Sequence, residues 1–196
     1  MRELNTLRQT VNQQYPSGKL TFLGVSACAA GKPAQLWNLT YSKLDPSMAQ
    51  VKSVMDGGCW EIPGCGGSSI DTDYGCKSLP KPGATGCPAN MAWKIDTRSG
   101  AILSLAQGRC LTLVSGGKLQ VTECVAGSAA QKWTLSPFGS GSDGVVSIRS
   151  AAEDGMERGC VSASTSPSYN APGGPPLSRP GGWAYPGTLA PPPRHK

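Results

Sequence analysis

The chain has 196 residues, 38% of them hydrophobic with only two Phe, and a formal net charge of +6. That length suits one domain with appendages, and 26 Gly with 17 Pro point to a fold made of many short turns plus a proline-rich segment. The positive charge does not indicate nucleic-acid binding: Arg179, Arg194 and Lys196 lie in an acid-free tail, and no Lys/Arg cluster with interleaved aromatics occurs before it.

Eight cysteines, none in a CxxC pair, argue for disulfides over zinc, and the single histidine, His195, leaves no mixed Cys/His metal site. Neither a metal nor another cofactor is expected. Disulfides imply an oxidising, secreted or extracellular setting. Met1–Arg8 is not followed by the apolar run of a signal peptide, so the expectation is the downstream part of a longer secreted chain or a misplaced start. No run approaches transmembrane length, and no membrane partner is expected.

In chain order, residues 1–17 match nothing else in the sequence and read as a lead-in or linker remnant. Lys19–Thr40 contains Cys28 and Gln35-Leu-Trp37-Asn-Leu39. Trp37 and Leu39 alternate inward, and Asn38, in an Asn-Leu-Thr sequon, faces outward as a candidate N-glycosylation site. A second unit, Tyr41–Asp96, carries Cys59-Trp-Glu61 and, later, Cys87-Pro-Ala-Asn90-Met-Ala-Trp93. Between them lies a Gly/Ser/Asp-rich insertion with Cys65, Asp71, Asp73, Tyr74 and Cys76.

The third unit, Ala101–Ser136, predicts four strands: Ala101–Ala106, Cys110–Val114, Leu119–Cys124 and Gln131–Leu135, with period-two alternation between Gly/Ser turns. Strands around Val145–Ser150 and Cys160 follow. From Ser164 to Lys196 the composition turns to Pro, Gly and Ser, a disordered or polyproline-like tail in which Trp183 and Tyr185 are the only partner-recognition candidates.

These units repeat one another. Gly18-Lys-Leu…Cys28…Gln35-Leu-Trp37 matches Gly117-Lys-Leu…Cys124…Gln131-Lys-Trp133, with Trp nine residues after Cys in both. Ser53…Cys59, Ser104…Cys110 and the segment around Cys160 match as front halves. One unit has its back half near the N-terminus and its front half near the C-terminus, so the chain describes a ring cut inside one unit.

Three such units, two ending in Gln-x-Trp and the second in the degenerate Met91-Ala-Trp93, each preceded by Cys, resemble the ricin B-type β-trefoil lectins over residues 18–163. The resemblance implies an all-β fold, a β-trefoil of three pseudo-threefold units with four strands each, closed by pairing the two terminal half-units. Trp37, Trp93 and Trp133 are then expected to meet in the core, and Gln35 and Gln131 to brace loop backbone. Equivalence of the units implies disulfides Cys59–Cys87, Cys110–Cys124 and Cys28–Cys160, leaving Cys65–Cys76 to staple the insertion.

The resemblance also implies galactose-type sugar binding through an Asp two residues after the front Cys, an aromatic platform and an Asn before Gln-x-Trp. Thr112 and Ala130 occupy the two polar positions in the third unit, and Ser162 and Ala34 in the ring-closing unit. Neither pair offers a carboxylate and an amide. The second unit has Glu61 and Asn90, with Tyr74 as platform and Met91 in place of Gln. A neutral sugar held by Glu61, Asn90 and Tyr74 is therefore the expected ligand.

Enzymes need positioned nucleophiles, acids or bases. With His195 in the tail, only the carboxylates Glu61, Asp71 and Asp73 remain, and catalysis by this chain is not expected. The resemblance suggests a module accessory to a preceding glycoside hydrolase domain. The alternatives are a structural trefoil packed on such a domain, or a trefoil protease inhibitor presenting the Cys65–Cys76 loop.

Overall fold

The computed structural model describes residues 21–73, 75–139, 144–151 and 159–164. Expectations for the lead-in, Tyr74, Trp183, Tyr185 and His195 lie outside the described residues.

The described residues form twelve strands, with five short 3-10 turns between them and no α-helix. They are β1 (Thr21–Ala27), β2 (Trp37–Tyr41), β3 (Met48–Ser53), β4 (Cys59–Glu61), β5 (Asp71–Asp73), β6 (Trp93–Asp96), β7 (Ala101–Ser104), β8 (Arg109–Val114), β9 (Lys118–Thr122), β10 (Trp133–Pro137), β11 (Val145–Ser150) and β12 (Gly159–Ser164). All pairings are antiparallel.

The strands fall into three sets of four: β3–β6, β7–β10, and β11, β12, β1, β2. Within each set the second and third strands form a hairpin: β4 with β5, β8 with β9, and β12 with β1. The last strand of each set pairs with the first of the next, β2 with β3, β6 with β7 and β10 with β11. The ring-closing hairpin runs from Phe22↔Ser164 to Ala27↔Gly159, six registered pairs between the two ends of the described chain. The architecture is a β-trefoil.

Alternation explains the core. In β2 and β6 the inward residues Trp37, Leu39, Trp93 and Ile95 are buried, while Lys94 and Thr40 face out. Trp37, Trp93 and Trp133 are buried as expected. Each indole N–H donates to the carbonyl of the residue after the front cysteine of its own unit: Val161 at 3.2 Å, Trp60 at 3.3 Å and Leu111 at 3.0 Å. This bond recurs three times and ties the outer hairpin of each unit to its barrel strand. A fourth tryptophan, Trp60, joins this core, edge-to-face with Trp37 at 5.1 Å and Trp93 at 5.7 Å. Its indole nitrogen is buried with no hydrogen-bond partner among the described residues. Sequence pattern alone does not place it there, since Trp60 lies outside the Gln-x-Trp motif and its counterparts are Leu111 and Val161.

All eight cysteines are bridged. Cys28 joins Cys160 and Cys110 joins Cys124. The second unit corrects the other two expectations: Cys59 pairs with Cys76 rather than Cys87, and Cys65 with Cys87 rather than Cys76. The hairpin register gives the reason. Cys110 stands opposite Thr122, Cys160 opposite Ser26 and Cys59 opposite Asp73, so the back cysteine is the one just beyond β9, β1 and β5. Beyond β5 that residue is Cys76, with Cα atoms 5.5 Å from Cys59. Cys87 instead opens the 3-10 turn Cys87–Ala89, at the end of an insertion that separates Cys76 from Trp93, and anchors the loop at Cys65.

Asn38 lies half-buried in β2, with Lys52 of β3 on one side and Val145 of β11 on the other. The bridged cysteines fit the oxidising environment inferred from composition.

Candidate functional site

The three outer hairpins present equivalent positions with different chemistry. In the third unit Gln131 is buried and fully engaged: its Oε1 accepts from Val125 N at 2.7 Å, and its Nε2 lies within hydrogen-bond distance of Glu123 O, Thr112 Oγ1 and Thr122 Oγ1. Gln35 does the same in the ring-closing unit, accepting from Ala29 N and donating to Ala27 O and Ser26 Oγ. Both glutamines clamp the backbone flanking the back cysteine, as expected of them. Thr112 and Ser162 are buried, so neither unit offers an outward polar group at that position.

In the second unit Met91 occupies the glutamine position. Its Sδ accepts from Lys77 N at 3.5 Å, the backbone amide just beyond Cys76, and so imitates one of the two glutamine contacts. The amide chemistry moves one residue back, to Asn90. Asn90 caps the turn after Cys87 and is buried, with its carbonyl accepting from Ile62 N at 3.0 Å. Its Nδ2 donates to Glu61 Oε1 at 2.5 Å, and Lys77 Nζ donates to its Oδ1 at 3.5 Å. The structure thus brings Glu61 and Asn90 together, with Asn90 holding the carboxylate from beneath. Tyr74 lies outside the described residues.

Two further carboxylates share the outer face. Trp60 and Thr72 of the β4–β5 hairpin point into the core, which turns Glu61, Asp71 and Asp73 outward; Glu61 stands directly opposite Asp71, and Cys59 opposite Asp73. Like charges directly across an antiparallel pair repel. Burial, then the charges of Glu61 and Asp73, push Asp71 up to about 7, and its Oδ1 is buried with no hydrogen-bond partner among the described residues. Glu61 is also raised, first by burial and then by Asp73, with Lys77 and the Asn90 hydrogen bond pulling the other way. Asp73 Oδ1 accepts from Gly75 N at 3.0 Å. Sequence places these three carboxylates in one unit, but only strand register shows that Glu61 faces Asp71, and only the folded chain brings Lys77 to Asn90.

A separate cavity of about 340 Å³ lies between the Cys28–Gly31 loop and the β10–β11 hairpin, with Phe138, Ser147 and Arg149 on its wall. It contains none of the residues at the lectin-type positions. Among the described residues, no group of three His, Cys, Asp or Glu could hold a metal ion, and no helix is long and apolar enough to cross a membrane.

No protein-family model matches the chain, and no curated protein matches it. Among solved structures it is similar to the protein of a PSL1a–E64 complex, with 14% identity over 61% of this chain and 48% of the other and a TM-score of 0.42. It is also similar to ThreeFoil, a designed threefold-symmetric protein, at 14% identity over 59% of this chain and 96% of that one, TM-score 0.42. The cytolethal distending toxin of Actinobacillus actinomycetemcomitans shows 19% identity over 59% and 89%, TM-score 0.37. The chain thus spans about half the length of the first of these and most of the other two.

Proposed function

We propose that this β-trefoil is a carbohydrate-binding module with one sugar site, on the outer face of its second unit. The observation that carries the reading is the Glu61–Asn90 pair, a half-exposed carboxylate held by a buried amide, where the other two units place the buried hydroxyls of Thr112 and Ser162. A carboxylate fixed in this way accepts hydrogen bonds from two vicinal hydroxyls of a neutral, galactose-type sugar. Since the Asn90 amide is occupied by Glu61 and Lys77, its part is to orient the carboxylate rather than to grip the sugar. The module binds and does not catalyse; in the secreted protein it serves as an accessory to a glycoside hydrolase domain, delivering that domain to glycan.

A shallow site with few polar contacts binds at about millimolar strength, near 4 kcal/mol. Glu61→Ala removes charge-assisted bonds worth roughly 1.5–3 kcal/mol and takes binding below detection. Thr112→Ala leaves it unchanged. Titration of free galactose and N-acetylgalactosamine, followed by NMR, checks both outcomes. Binding that survives Glu61→Ala places the site elsewhere, and silence toward every glycan on an array leaves the fold as a structural module.

A further inference from the structure

Sugar sites of this kind need an apolar ring under the C–H face of the sugar as well as a carboxylate. Such a ring lies beside Glu61, contributed by the opposite end of the chain. Strand β1 pairs with β5 as well as with β12, and the register sets Phe22 opposite Asp71. Because Asp71 is itself opposite Glu61, the three residues Glu61, Asp71 and Phe22 form one lateral row across β4, β5 and β1. Directly opposed residues of antiparallel strands project from the same face. The inward residues on either side, Trp60, Thr72 and Leu23, are buried, which fixes the row as outward.

Phe22 is 45% exposed, so the face of its ring is open to a ligand. Gly24, the next residue on the same face of β1, has no side chain to crowd the ring. Two strand spacings separate Phe22 from Glu61, about 10 Å between Cα atoms, and both side chains can lean over that gap. A pyranose with its substituents bridges it.

We propose that Phe22 supplies the stacking face of the Glu61 site, so that the site is assembled from two repeats, and that it selects neutral hexoses over those bearing a carboxylate. The inference rests on the carbohydrate-binding reading of Glu61 given above. Stacking on Phe22 puts the sugar against Asp71, whose carboxyl both accepts and, when protonated, donates to a ring hydroxyl. An acidic sugar in the same place sets its carboxylate against Glu61, Asp71 and Asp73, with the Lys77 ammonium already turned to Asn90.

The test uses the whole chain and four variants: Phe22→Ala, Phe22→Trp, Glu61→Ala and Thr112→Ala. Binding of methyl galactoside, N-acetylgalactosamine and glucuronic acid is followed by saturation-transfer NMR. Phe22→Ala should weaken neutral-sugar binding about tenfold, Phe22→Trp should retain or strengthen it, and glucuronic acid should not bind. Upfield shifts of the sugar C–H protons in the wild type and in Phe22→Trp, absent in Phe22→Ala, separate stacking from a structural effect. If Glu61→Ala abolishes binding while Phe22→Ala binds like wild type, the sugar reading stands and the platform assignment is overturned. If glucuronic acid binds as well as the neutral sugars, the selectivity is wrong. If the wild type binds no sugar at all, both readings fall.

Discussion

The bridge Cys28–Cys160 spans 132 residues, whereas Cys110–Cys124 spans 14, yet the two occupy equivalent places in their hairpins, each with Cα atoms 5.0 Å apart. Removing each by a paired Cys→Ser change therefore isolates the effect of loop length, since the local surroundings are nearly the same. Chain-entropy reasoning assigns about 5 kcal/mol to the long bridge and about 3 kcal/mol to the short one. The expected result is a difference near 2 kcal/mol between Cys28→Ser/Cys160→Ser and Cys110→Ser/Cys124→Ser. Urea unfolding by tryptophan fluorescence measures it, provided the slope with denaturant is compared too, because loss of the long bridge should also expand the unfolded chain. Equal losses would show that the bridges act through folded-state contacts rather than by restraining the unfolded chain.

Asp71 provides a second check. Its carboxyl is raised to about 7 in the folded state against an ordinary value near 4 when unfolded, so the unfolded chain gives up its proton first. Folding stability should therefore fall as pH rises from about 4 to about 7, and Asp71→Asn should flatten that decline and stabilise by about 2 kcal/mol at pH 8 once solvent screening is allowed for. A pH series of urea midpoints decides, and an unchanged slope in the variant would refute the assignment. Gly100 has φ +78, and an added Cβ would stand 2.8 Å from Trp133 O. Gly100→Ala should cost at least about 2 kcal/mol in thermal unfolding, against about 1 for Gly108→Ala, where φ is +67 but the space is open.

Much of this fold is legible in period-two alternation and in the recurrence of Cys and Trp, because both reflect a repeated local packing problem. Where the recurrence is distorted it misleads. Cys87 precedes Trp93 by six residues, not nine, yet proximity to the tryptophan makes it look like the back cysteine. The better signal is the distance from the front cysteine, 17 residues to Cys76 and 14 in the third unit. Hairpin length is constrained by strand register, whereas the loop leading to the tryptophan is free to grow. The candidate site is half legible for a similar reason. Glu61 and Asn90 follow from position within one unit, but the row from Glu61 through Asp71 to Phe22 depends on pairing between strands some fifty residues apart, which a linear pattern does not encode.

The hairpin of β12 and β1 also governs the order in which the molecule assembles. Its six pairs are as regular as those of a local hairpin, but their partners lie more than a hundred residues apart in sequence. Local hairpins form in microseconds, while pairings of this separation wait on the closure of the whole chain. The β4–β5 and β8–β9 hairpins, each with its short-range bridge, are therefore the early structures, and the joining of β1 to β12 is the slow, committing event. Strand β1 also flanks β5, through Thr21↔Thr72 and Phe22↔Asp71, so closing the ring fixes both edges of β1 and with them one side of the Glu61 face.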